Sequence, residues 1–318
     1  MIAPNLSNTD YEDLPQEVNV AELTSSPAVV DTSSEIVMLH NMGLLDKLLA
    51  DKTTGGNITW ATNEYAERGP EYGADRQIHP ELIMFPNTDI VQPRAAKSQA
   101  AQSKRTRTKG EVFTPVWVCP KMNEYIEAEA TDSAKDWRQL IDFRMLEITC
   151  GEAPFLVSRY DSQTGKRIKL EDRVGLLDFK LRVVAIHSNT KQEWTDWAIR
   201  AYESTYGFEF QGDSLLIGRI NMLMTFIEYY EERWSHPPDR TILRKLANVI
   251  AWNVWQMDGL TGRTPAATIL APIQRQISLF DTENDVHPEY KAAECRIYDW
   301  RSNHSLLWSQ IGRGKNEI

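Results

Sequence analysis

Leu146-Glu147-Ile148-Thr149-Cys150-Gly151-Glu152-Ala153-Pro154-Phe155-Leu156 sets an acid in a short apolar run, then a Cys-Gly turn, then a Phe-Leu pair that reads as a helix start. A strand, a tight turn and a helix N-terminus can cradle a nucleotide, because backbone N–H groups and the helix dipole converge there. Glycine lets the backbone approach a ligand closely, and Glu147 can hold an amine or a ribose hydroxyl. An ordinary strand-to-helix turn also carries one glycine, so this segment alone leaves both readings open. Two further acids, Glu209 and Asp258, close short apolar runs in the same way. Ligands of open α/β sheets bind outside the carboxyl ends of the strands. Acids at three such ends can therefore serve three parts of one nucleoside cofactor.

A sheet and its crossover helices must position these acids. Met145 to Thr149, Tyr206 to Phe210 and Asn253 to Met257 read as parallel strands. Helices are expected over Val116 to Ala128, Ala134 to Ile141, Glu193 to Thr205, Ser214 to Trp234 and Thr241 to Ile250. In the fourth, Leu215, Leu216, Ile220, Leu223 and Phe226 have the spacing of a buried face, and Asp213-Ser214 can cap it. Glu147 is unusual inside a strand buried on both faces, which favours a working acid. Glu147 and Glu209 lie 62 residues apart, where a plain βαβ unit needs roughly 30. An insertion is therefore expected at about 158–192, polar throughout except for a strand candidate at Leu181 to Ile186.

Upstream, Glu35 to Ala50 has helical apolar spacing, weakened in the middle by Asn41 and Gly43. Residues 1–34 read as a mobile acidic tail, and 35–110 as a helical and loop region. No apolar run reaches membrane-spanning length and no charged leader opens the chain, so neither a span nor a secretory signal is expected. The cysteines Cys119, Cys150 and Cys295 are far apart without zinc-type spacing, and the histidines are dispersed, so no metal site is expected. Dispersed reduced thiols fit a cytoplasmic protein.

The net charge of −10 argues against a free-standing nucleic-acid binder. The charge is uneven, however: residues 1–46 hold eight acids and no Lys or Arg. Residues 93–110 hold Arg94, Lys97, Lys104, Arg105, Arg107 and Lys109 and no acid. That stretch reads as a solvated linker, a phosphate-contacting strap, or a contact for an acidic partner chain.

The order of the pieces carries more than any one of them. Lys109-Gly110-Glu111-Val112-Phe113-Thr114-Pro115 precedes the Glu147 turn, and Tyr206-Gly207-Phe208-Glu209 and Arg219-Ile220-Asn221-Met222-Leu223 follow it. In this order the chain, from about 40 to about 310, resembles S-adenosylmethionine-dependent DNA adenine-N6 methyltransferases, the modification (M) subunits of restriction-modification systems. The resemblance implies a Rossmann-like methyltransferase sheet over 111–318, S-adenosyl-L-methionine as cofactor, and DNA with a second subunit as partners. It implies that Phe113, Thr114 and Pro115 pack on the methionine moiety, beside Thr149, Cys150, Gly151 and Phe155 of the turn. It places Glu147 near the methionine amine, Glu209 on the ribose hydroxyls and Asp258, with Leu260, at the adenine.

Two features depart from that family. Glu152 and Pro154 stand where the family turn has small residues, and the Asn/Asp-Pro-Pro-Tyr tetrapeptide that grips the target adenine is absent. Arg296-Ile297-Tyr298-Asp299-Trp300 is the nearest analogue in position, which makes Asp299 the candidate catalytic acid. The sheet is therefore expected to be incomplete, with Cys295 to Tyr298 filling the slot beside Met145 to Thr149. The alternative reading is a catalytically inactive, methyltransferase-like interaction protein.

Overall fold

Asp31 accepts a hydrogen bond from the Ser34 N–H at 3.2 Å and so starts α1 (Thr32–Asn41). Gly43 then takes a left-handed backbone, φ +63°, and the chain restarts as α2 (Leu45–Leu49). The one helix expected over Glu35 to Ala50 is thus two, broken where glycine permits the reversal. The computed structural model describes residues 29–109, 118–265, 267–269 and 289–311. Most of the acidic tail, residues 1–28, lies outside these, as do Phe113, Thr114 and Pro115.

The remaining helices are α3 (Pro80–Ile83), α4 (Gln99–Lys109), α5 (Val118–Ser133), α6 (Trp137–Asp142), α7 (Leu176–His187), α8 (Lys191–Glu203), α9 (Gly212–Trp234) and α10 (Arg240–Asn253). β1 (Met145–Ile148), β2 (Thr205–Glu209) and β3 (Val254–Gln256) form a parallel sheet in the order β1-β2-β3. α7 and α8 cross from β1 to β2, and α9 and α10 from β2 to β3. The fold is mixed α/β around this three-stranded sheet. Two antiparallel pairs follow, β4 (Ala267–Ile269) with β5 (Glu289–Lys291) and β6 (Arg296–Asp299) with β7 (His304–Leu307).

Leu181 to Ile186, expected as a strand, lies within α7. A short apolar run suits either element, and Leu181 and Val184 join the preceding Leu176 and Leu177 in burying one helical face. α9 begins at Gly212 after Gln211, without a side-chain cap. Asp213, expected to cap it, falls in the first turn and is held by Lys97 and Arg105 instead.

Register assigns the two faces of the sheet. Leu146 pairs with Tyr206 and Ile148 with Phe208, which pairs in turn with Trp255. Side chains alternate along a strand, so these five share one face. The β6–β7 hairpin covers its β2–β3 half, where Cys295 and Ile297 join Tyr206, Phe208, Trp255 and Met257 in one buried cluster. Leu146 and Ile148 stay 45% and 65% exposed. The expectation that Cys295 to Tyr298 lies beside β1 is therefore corrected. Burying Cys295 and Ile297 on β2 and β3 draws β6 onto the face of the sheet, where it pairs with β7. Among the described residues no strand pairs with the outer edge of β1.

At the amino end of the sheet the buried Lys180 Nζ donates to Phe143 O and Ser204 Oγ, both at 2.7 Å. It joins the segments that enter β1 and β2, and burial among neutral acceptors holds its amine well below the usual lysine range.

Candidate functional site

β1 leads into a turn in which every second residue is left-handed: Thr149 at φ +51°, Gly151 at +53° and Ala153 at +63°. Only glycine takes this backbone freely, so Thr149 and Ala153 are strained and must be held by their surroundings. The Cys150 N–H donates to Phe208 O at 2.9 Å, and the Gly151 N–H to Glu209 Oε2 at 2.9 Å. The turn rests on α9 at Gly218, where an added Cβ would meet Gly151 O at 3.0 Å. A bare helix backbone at that point lets the turn sit low against it.

No helix follows the turn, contrary to expectation. Ala153 precedes Pro154, and a left-handed residue before a proline cannot enter an α-helix. The chain instead runs beside the start of α7, where Leu176 and Leu177 donate to Phe155 O and Leu156 O at 2.8 and 2.9 Å. A nucleotide cradle built on a helix N-terminus is therefore not formed at Phe155. Two of the turn's N–H groups are spent on Phe208 and Glu209, and a third, that of Ala153, on Cys150 O.

At the carboxyl edge of β1 and β2 lies a cavity of about 540 Å³, a volume ordinary for small-molecule sites. Glu147, Thr149, Cys150, Gly151, Phe155 and Glu209 all line it. Glu147 projects opposite Gly207, whose missing side chain leaves room for Cys150 and Leu156. Its Oε2 is sealed from solvent without a hydrogen-bond partner. Burial raises the Glu147 carboxyl well above the usual range; the neighbouring Glu209 adds to this, and the Leu156 and Phe155 N–H groups oppose it. Glu209 is also raised by burial, against the N–H groups of Gln211 and Gly151 that its two oxygens accept. Burial beside both acids pushes the Cys150 thiol up and leaves it unreactive.

The other residues singled out in the sequence lie elsewhere. Asp258 turns back on its own loop, accepting from Leu260 N–H at 2.9 Å, while Leu260 is 98% exposed; neither lines the cavity. Asp299 accepts from Arg144 at 2.6 Å. Arg144 immediately precedes β1, so Asp299 sits at the amino end of the sheet, opposite the cavity.

Half of the basic stretch is committed to the protein itself. Arg105 is 2% exposed and holds Asp213, Glu64, Gln211 and Ser214. Lys97 reaches Asp213 at 3.0 Å, and Arg94 is buried in the cavity wall. Arg107 is exposed.

Sequence reasoning missed three wall residues. The Glu152 carboxylate accepts from the Arg94 N–H and the Tyr160 hydroxyl, both at 2.6 Å, and Asn221 donates to Glu152 O and to Tyr160. Asn123, on α5, donates both amide hydrogens to Phe155 O and Val174 O, which leaves Oδ1 without a partner in the same cavity. Tyr160 gave no sequence signal; Asn221 stood in the Arg219 to Leu223 motif without an assigned role; Asn123 gave one, a polar residue on the buried side of a helix. Among the described residues no group of three His, Cys, Asp or Glu could hold a metal ion, and no helix is long and apolar enough to cross a membrane. No protein-family model, no curated protein and no solved structure matches this chain.

Proposed function

We propose that this chain is the S-adenosyl-L-methionine-binding subunit of a cytoplasmic DNA adenine-N6 methylation system, its sheet being the first part of a Rossmann-like methyltransferase fold. One observation carries the reading: Glu147 and Glu209, from adjacent parallel strands, line one cavity at the carboxyl edge. The cavity also suits the cofactor chemically. An unpartnered carboxylate oxygen accepts an amine, and Leu146, Ile148 and Phe210 supply an apolar wall for a base. Glu147 would hold the methionine amine and Glu209 the ribose hydroxyls through its remaining lone pairs; Asp258 does not line the cavity and would take no part. When bound, the cofactor supplies an electrophilic methyl group. The chain's own contribution is to position it and exclude water. Isothermal titration with S-adenosylmethionine tests this, with millimolar or tighter binding expected from the chain alone or with its partner subunit. Absence of heat in both cases removes the reading.

A second reading, a methyltransferase-like interaction protein without catalysis, is favoured by two observations. Asp299 sits at the wrong end of the sheet for the cavity, and the target-gripping tetrapeptide is absent from the sequence. Methylated adenine in DNA from a host expressing this chain alone would end it.

A further inference from the structure

α10 carries three cations and no acid, in a chain of 45 acids against 35 Lys and Arg. Leu243, Leu246, Ala247 and Ile250 set its buried side, which leaves Arg240, Arg244 and Lys245 exposed on the other. α2 packs beside α10 and adds Lys47, followed just past its end by Lys52. Two ties align these elements. Arg240 donates to Met42 O at 2.9 Å and to Asn41 O at 3.0 Å, ahead of α2. Past the end of α2, the Lys52 Nζ donates to Asn248 Oδ1 at 2.8 Å. Lys47 lies in the chain between the two ties, so the five cations gather along one side of the α2–α10 pair.

Among the described residues none of the five has a carboxylate partner. The exposed acids of these segments are Asp46 and Asp239; Asp51 is buried and accepts from the Thr53 N–H and the Thr54 hydroxyl. The basic stretch at 93–110 differs, since its Lys97 and Arg105 are spent on Asp213. Arg240, Arg244, Asn248 and Trp252 recur every fourth residue and form one row, with steps of about 6 Å along the axis. The row ends at aromatic rings: Lys52 Nζ lies 6.0 Å from the centre of the Trp252 ring, and the Tyr298 ring 5.2 Å from it. We propose that this face of α10, with Lys47 and Lys52, binds the phosphate backbone of DNA. Unpaired cations in a row suit phosphates, and half-buried Trp252 and Tyr298 offer flat apolar surface beside them. The net charge of −10 does not oppose this, because charges more than about 10 Å away are screened at physiological salt. None of the exposed large apolar side chains lies on α2 or α10, so the face has nothing to insert into a lipid surface. The choice of DNA as polyanion rests on the proposed function, but the face needs no cofactor.

Fluorescence anisotropy of a labelled duplex of about 20 base pairs, titrated with the full-length chain at about 50 to 200 mM salt, tests this. Arg244 and Lys245 are exposed and make no side-chain bond among the described residues, so Arg244→Ala/Lys245→Ala preserves the fold. This double variant should weaken binding and lower the salt slope by about two. Lys135→Ala/Lys191→Ala removes the same charge from exposed positions before α6 and at the start of α8, and should leave the slope unchanged. An equal loss in both variants, no loss in the first, or no binding by the wild-type chain at low salt overturns the face as a DNA contact. Sedimentation with phosphatidylserine vesicles covers the other large anion. Vesicle binding without duplex binding, lost in the first variant, overturns DNA in favour of an anionic membrane surface. Titration with S-adenosylmethionine is a separate measurement, so the cofactor reading and this face fail independently.

Discussion

The Gly151 N–H donates to Glu209 Oε2 at 2.9 Å, so a side chain at the end of β2 fastens the strained turn that leaves β1. The other oxygen of Glu209 accepts from Gln211 N–H at 3.0 Å. Glu209→Ala removes two hydrogen bonds to a charged group and releases Thr149 and Ala153 from their restraint. It should destabilise the chain by about 2–4 kcal/mol, read as a lower urea midpoint. An unchanged midpoint would mean that the turn holds itself.

Glu147 is a cost to the fold. Its folded carboxyl value is raised above the ordinary 4.5, so the folded chain binds its proton more tightly than the unfolded chain does. Stability from this group is greatest below the unfolded value and falls as pH rises toward the folded value. Glu147→Gln should therefore raise the melting temperature at neutral pH by a few degrees, on the scale of about 1 kcal/mol. It should also flatten the dependence between pH 4.5 and neutrality. A lower melting temperature would mean that the carboxylate has a partner worth more than its burial.

Asp213 works in the opposite direction. Lys97 and Arg105 hold it well below the ordinary 3.8 against the effect of burial. Its stabilisation is fully present above about pH 4 and fades as pH falls toward the folded value. Asp213→Asn leaves Arg105 and Lys97 short of a buried partner and should cost about 3 kcal/mol or more at neutral pH. The deficit should narrow on acidification. Hydrogen exchange over α4 should rise in the variant, because that helix is tied to α9 through this contact.

Lys97 and Arg105 are bound to Asp213, so any DNA contact of the basic stretch falls to its other residues. Replacing Lys104, Arg107 and Lys109 with Ala should lower the salt slope of DNA binding by about one for each phosphate left without its cation. The same fluorescence titration on Arg107→Ala alone sets the size of a single step. An unchanged slope for the triple variant assigns the stretch to packing. Arg105→Ala would be uninformative here, since Arg105 is buried against Asp213 and Glu64.

Periodicity made most of the helices and all three parallel strands legible, because a helix such as α10 buries its apolar side and a central strand such as β2 is buried throughout. Glu147 and Glu209 stood out because carboxylates inside or ending apolar strands are rare. What was illegible depended on partners distant in sequence. The left-handed residues Thr149, Gly151 and Ala153 sit in a turn that Phe208 and Glu209 hold from the next strand, and without those partners in view the segment read as a helix start. The Arg296–Asp299 strand read as filling the slot beside β1, and burial of Cys295 and Ile297 against Phe208 holds it on the face of the sheet instead. Lys97 and Arg105 looked like solvated charges because their acid, Asp213, lies more than 100 residues away. Asp258 satisfied the strand-end pattern and then turned inward on its own loop.

The fully buried Arg159 binds Glu35, 124 residues earlier, and Glu228, 69 residues later. A guanidinium tolerates such burial only with both carboxylates in place. Lys52 reaches Asn248 and Thr59 reaches Gln256, spans of 196 and 197 residues. On a ribosome, α1 and α2 thus emerge long before anything exists to receive them, and the interior can close only after α10 has cleared the exit tunnel. Synthesis order and assembly order are therefore decoupled, and contacts so distant in sequence make closure slow. Through most of translation Leu44, Leu45, Leu48 and Leu49 therefore lack the partners on α9 and α10 that cover them in the folded chain.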